Sequence, residues 1–266
     1  MRQLSLQEIK RIELDLLKTL DFFCQQNNIN YFLSNGTLLG AVKYKGFIPW
    51  DDDIDVLVPR EDYNKLISLF QDNEQCKLFA FEREEKYYFP FAKLCNLTTL
   101  KKEQNTNNGV NLGIDIDIFP LDSWDCNFKK AQKEARHINK IMFYLELAKS
   151  HTPNSSNKIK RIVKFILMIF CKIVGSKQFV RAIIQKSDTK KHDNSYLGCK
   201  TWCIYGEREI IPASVFSDSV IVEFEGIKFP APIGYDTYLR SLYGNYEMDP
   251  PQEKQRTHHS FKAYKL

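Results

Sequence analysis

The residues with most chemical content lie in "IPWDDDIDVLVP", residues 48–59, where Asp51, Asp52, Asp53 and Asp55 crowd the mouth of an apolar run. Carboxylates this close repel one another, and taking them out of water is costly unless a cation or hydrogen-bond donors compensate. Asp53 and Asp55 stand two apart, so on a strand both side chains leave the same face. "GIDIDIFPLD", residues 113–122, repeats that geometry with Asp115 and Asp117 set among Ile114, Ile116 and Ile118. Two such strands side by side would gather oxygen ligands of the kind that hard divalent ions prefer. Mg²⁺ (or Mn²⁺) binds through a few carboxylates together with phosphate oxygens. Upstream, Gly36-Thr37 reads as a turn that ends a short strand and opens a helix, with backbone N–H groups suited to a phosphate.

These residues need a scaffold. Residues 1–26 read as an amphipathic helix, with Leu6, Ile9, Leu16, Leu20 and Phe23 near helical spacing and a capping box from Ser5 to Glu8. A strand over 31–33, a helix from 37 to 42, the aspartate strand and a helix over 61–70 follow. "CKLFAFE", "YYFPFAKLCN" and "GIDIDIFPLD" are strand-like, and 127–149 is helical. Strand, Gly-Thr turn, helix, Asp-x-Asp strand and a later third carboxylate are the plan of a nucleotidyltransferase fold. The predicted class is α/β (α+β), a mixed sheet flanked by helices. The predicted division is a catalytic core at 1–150, a basic, apolar helical segment at 151–205 and a C-terminal segment at 206–266 that packs back on the core.

Bulk properties narrow the function. A net charge of +5 on 266 residues is too weak to imply nucleic acid. The seven cysteines are odd in number and form no CxxC pair, as expected of reduced thiols in a cytoplasmic protein. No signal peptide is read at the start. The apolar run at 162–174 is too short to span a bilayer. Two readings of 161–177 stay open, a buried core helix or an interfacial helix whose lysines reach lipid headgroups.

"FLSNGTLLGAVKYKGFIPWDDDIDV", "IDIDIFPLD" and "PAPIGYDTYLRSLYGNYEMDPP…HH" together resemble the LicD family, which also covers the fukutin-related proteins. The resemblance spans about residues 10–125 and 220–260. It implies a nucleotidyltransferase-like fold and transfer of phosphocholine from CDP-choline to a sugar of a teichoic acid or lipopolysaccharide precursor, with CMP released. Animal relatives use CDP-ribitol. Carried over by position, the metal pair falls on Asp53 and Asp55 and the third, catalytic carboxylate on Asp117. Lys93 matches a family lysine, and Cys95 and Asn245 stand where an arginine and an aspartate are more usual.

Substrate contacts are expected from Gly36, Thr37, Trp50, Asp51 and Lys93, with His258 and His259 closing the site. A quaternary ammonium is held by aromatic faces; Trp50, Tyr87, Tyr88, Phe89, Trp124 and Trp202 are the candidates. The expected partners are CDP-choline, a lipid-linked glycan acceptor and the cytoplasmic membrane surface. The alternative is a nucleotidyltransferase that moves NMP from an NTP to a sugar or small-molecule hydroxyl. A non-catalytic adaptor is disfavoured by the intact acidic set.

Overall fold

Local signals at the N-terminus set the first long element. In the computed structural model, which describes residues 1–153, 157–187, 195–257 and 261–266, a short β1 (Arg2–Gln3) leads into α1 (Leu6–Asn27). The Ser5 hydroxyl accepts from the Glu8 amide, and the Glu8 carboxylate accepts from the Ser5 amide at 2.9 Å, so the capping box forms. Ile9, Leu16, Leu17 and Leu20 are buried on one face of α1, and Glu13 is buried with them.

After β2 (Phe32–Leu33), α2 (Asn35–Tyr44) begins two residues earlier than predicted. Ser34 adopts the extended N-cap conformation, so Gly36 and Thr37 lie in the first helical turn and not in a turn before it. β3 (Asp55–Pro59) is buried from Asp55 to Val58. Asp53 precedes this strand, so the predicted Asp-x-Asp strand is shorter than expected. The Asp117 amide nevertheless donates to Ile54 at 2.8 Å, which ties the approach to β3 into the sheet.

The chain continues through α3 (Arg60–Leu69), β4 (Cys76–Phe79), β5 (Ala92–Asn96), β6 (Thr99–Glu103) and β7 (Asp115–Ser123). Three helices follow: α4 (Phe128–Lys149), α5 (Lys158–Val174) and α6 (Ser176–Ser187). The remainder holds β8 (Tyr196–Gly198), β9 (Ile211–Pro212), the hairpin β10 (Ser219–Phe224) and β11 (Ile227–Pro232), α7 (Tyr235–Tyr243) and β12 (Phe261–Lys265).

The main sheet runs β2-β3-β7-β5-β4, with β8 pairing β7 and β9. β3 and β7 are parallel, and β2–β3, β7–β5 and β5–β4 are antiparallel. This is the predicted mixed α/β architecture. A smaller sheet, β1-β12-β6, joins the two chain ends. The core is continuous from α1 and α3 through Val56, Leu94 and Ile116 to Phe229 and Leu239. A second cluster lies under α4 and α6, around Trp124, Ala135 and Ile183.

The seven cysteines are free. Of the two readings for 161–177, burial in the core is excluded: within α5 only Met168 and Cys171 are buried. Among the described residues, no helix is long and apolar enough to cross a membrane.

Candidate active site

Strand register assembles the site. Asp55 of β3 pairs with Asp117 of the parallel β7, and Asp117 pairs in turn with Lys93 of β5. The three residues therefore form a row across adjacent strands, close to 5 Å apart in backbone spacing. The Asp55 backbone is held on both sides: its amide donates to Thr37 Oγ1 at 2.8 Å, and the Ser34 amide donates to its carbonyl at 3.1 Å. Thr37 is buried, with its hydroxyl on the Asp55 backbone, so it positions the carboxylate strand where a phosphate contact was predicted. Gly36 faces a cavity, and a Cβ there would come within 2.6 Å of Asp51 Oδ2, so a larger residue would have to displace that carboxylate.

Charge in the row is unevenly compensated. Lys93 donates to Asp115 at 3.0 Å and also to Asp117. Lys101 stands 2.5 Å from the second Asp115 oxygen. Burial alone would raise Asp115, but Lys101 and Lys93 together hold its carboxyl below the usual range. Burial opposes the charge on Lys93, yet Asp115 and Asp117 raise its ammonium well above an ordinary lysine. On the other side of the row, burial and then the charges of Asp53, Asp117 and Asp51 push Asp55 well above a normal carboxylate. Asp55 is thus the end of the row where negative charge accumulates.

Two cavities meet at Asp53. The larger, about 650 Å³, is lined by Gly36, Trp50, Asp51, Asp53 and Asp55, and by Tyr205, Tyr243, Asn245 and Tyr246 from the C-terminal part. The smaller, about 310 Å³, is lined by Asp52, Asp53, Lys93, Asp115 and Asp117, and by Phe89, Phe91, Trp202 and Phe261. Of the predicted aromatic candidates, Trp50 faces the larger cavity, and Phe89 and Trp202 face the smaller. Trp124 and Tyr87 are fully buried, and the Trp124 indole donates to the Glu209 carbonyl at 3.0 Å, so both belong to the core. Tyr88 packs against the second cluster. Lys93 sits 5.1 Å from the Phe89 ring centre and 5.4 Å from that of Phe91, and Lys149 sits 3.7 Å from that of Phe89. His258 and His259 lie outside the described residues. Their neighbour Thr257 donates to Asp52 Oδ1 at 2.7 Å.

Several contributors were not anticipated. Glu13 of α1 lines the smaller cavity, and its buried Oε2 has no hydrogen-bond partner among the described residues. Burial, then Asp53 and Asp115, push its carboxyl well above the usual range. Its signal was present: Glu13 stands four after Ile9 and three before Leu16, on the apolar face. Lys101 and the tyrosines of the larger cavity carried no such signal, because they arrive from distant segments. Tyr238 of α7 donates to Asn35 Oδ1 at 2.9 Å and so braces the start of α2 from the C-terminal part.

Among the described residues no three His, Cys, Asp or Glu side chains close into a ready-made metal cage. The oxygen-only donors at Asp53, Asp55 and Asp117, and the mutual repulsion centred on Asp55, are nevertheless the chemistry a hard divalent ion requires. The ion of choice in such sites takes part of its shell from substrate phosphates.

The chain is 28% identical over 273 residues to the Haemophilus influenzae lipopolysaccharide cholinephosphotransferase LicD, covering the whole of both chains. It is 33% identical over 90 residues to RP689 of Rickettsia prowazekii, about a third of each chain, and 47% identical over 47 residues to RT0683 of Rickettsia typhi. The family model for the LicD/FKTN/FKRP nucleotidyltransferase domain matches residues 28–157, which include the whole row of Asp55, Lys93 and Asp117. Residues 28–157 thus match the LicD/FKTN/FKRP nucleotidyltransferase domain, and the chain over its whole length is similar to a LicD protein.

Proposed function

We propose that this protein transfers phosphocholine from CDP-choline to a sugar hydroxyl of a lipid-linked precursor of lipopolysaccharide or teichoic acid, at the cytoplasmic side of the membrane, releasing CMP. The observation that carries the reading is the carboxylate row at the junction of two cavities of unequal size. The full-length similarity to a lipopolysaccharide cholinephosphotransferase supports it.

In this reading the larger cavity takes cytidine, with Gly36 and the α2 N-terminus beside the nucleotide phosphate and the tyrosines against the base. The smaller cavity takes the headgroup, where Trp202 and Phe89 offer π faces among carboxylates. Asp53, Asp55 and Asp117 would hold Mg²⁺ or Mn²⁺, which when bound neutralises diphosphate charge. The acceptor oxygen attacks the choline-bearing phosphorus, the bond to CMP breaks, and a carboxylate takes the hydroxyl proton. Asp117 suits that last role, because burial raises its proton affinity although Lys93 opposes it. Lys93 lies within reach of both Asp117 and the smaller cavity, so its ammonium can pass to a phosphate oxygen.

Asp53→Asn and Asp55→Asn keep the side-chain shape and remove ligand charge. Each is expected to lower choline transfer at least about a hundredfold. Wild-type turnover of both variants at saturating Mg²⁺ would overturn the metal assignment.

A further inference from the structure

Helix α5 presents its apolar side away from the protein. Ile159, Ile162, Ile166, Phe170 and Ile173 recur at three- and four-residue spacing and form one stripe, and they are 49% to 77% exposed. Met168 and Cys171, the buried positions, lie on roughly the opposite side of the helix. A helix on a water-soluble surface normally turns such a stripe towards the core. Here the stripe faces outward over the length of the helix, and its continuity exceeds the scattered apolar exposure of ordinary surfaces.

Charge identifies what covers it. α5 carries Lys158, Lys160, Arg161, Lys164 and Lys172, and α6 adds Lys186, while its Lys177 and Arg181 are paired with Glu85; neither helix contains an acidic residue. Lys172 on one side and Lys160 on the other lie about 120° from the centre of the stripe, where long side chains can reach outward past an apolar boundary. A second copy of the same face would bring like charge against like charge. At 17 residues the helix is about 26 Å long, short of a bilayer core, and it is interrupted by lysines.

We propose that α5 lies flat in the headgroup boundary of an anionic bilayer, its isoleucine and phenylalanine stripe inserted and its lysines and arginine on lipid phosphates. This docking goes beyond the transferase reading and stands without it. It would also hold a membrane-linked acceptor near the site.

The test is flotation of the full chain with vesicles of phosphatidylcholine alone or mixed with phosphatidylglycerol. Wild type is expected to float with the anionic vesicles, and less as salt rises. The exposed double variant Ile166→Ser/Phe170→Ser should lose vesicle binding by about tenfold or more. It should keep its melting temperature and its transfer to a soluble acceptor, so that failure of docking is read separately from failure of the transferase reading. Three results would overturn the proposal: no flotation of wild type, equal flotation of the variant, or a wild-type dimer that the variant converts to monomer. The last would make a second copy the occupant.

Discussion

Replacing Asp55 by asparagine should raise thermal stability while it abolishes transfer. Asp55 faces Asp117 across neighbouring strands, and two unit charges about 5 Å apart repel by about 3 kcal/mol at an effective dielectric near 20. Lys93 compensates part of the Asp117 charge, which leaves a gain of about 1–3 kcal/mol on removing the Asp55 charge. At roughly 2–4 °C per kcal/mol for a domain of this size, Tm should rise by about 2–12 °C. The pH dependence gives the sign. The folded-state pKa of Asp55 lies well above its ordinary 3.8, so its ionisation costs stability increasingly as pH rises above that value. The gain in Asp55→Asn should vanish near pH 3 and grow towards neutrality. Scanning calorimetry of both proteins at several pH values, without divalent metal, measures it. A variant less stable than wild type at neutral pH, or a Tm difference that ignores pH, would refute the reasoning.

The other end of the row should respond oppositely. Lys93→Met breaks a buried ion-pair network and should cost about 3–5 kcal/mol, read by urea unfolding, with part recovered in Lys93→Met/Asp117→Asn. Thr37→Val leaves the buried Asp55 amide without its acceptor; a loss of about 1–3 kcal/mol is expected, with kcat falling more than KM rises in steady-state assays. Trp202→Leu removes a π face but keeps apolar bulk, so calorimetric titration should show CDP-choline binding weakened by about 1–2 kcal/mol and CMP binding unchanged.

How far these features could be read in advance depended on range. The Ser5–Glu8 capping box and the alternation of Asp115 and Asp117 with isoleucines are local patterns, and both appear in the structure. The parallel pairing of β3 with β7 is not local. It brings Asp55 to Asp117 across a crossover that contains two other strands of the same sheet, and no periodicity announces such a partner. The double role of Lys93, on two carboxylates and two aromatic rings, follows from that pairing. Asp53 was read as a strand residue because alternation continues through Ile54, but pairing starts at Asp55. For α5 the apolar run at 162–174 indicates a helix and says nothing of its direction, since such a run is the same in sequence whether it faces a core or a lipid.

The most direct test of the transferase reading is the fate of the choline-bearing phosphorus. CDP-choline radiolabelled at that phosphorus would be incubated with the protein, a divalent metal and a glycan acceptor, and the products separated. Label and choline should appear together on the sugar in step with unlabelled free CMP. Label released as free phosphocholine with a cytidylylated acceptor, or turnover only with an NTP and release of pyrophosphate, would contradict the account and make the protein a nucleotidyltransferase.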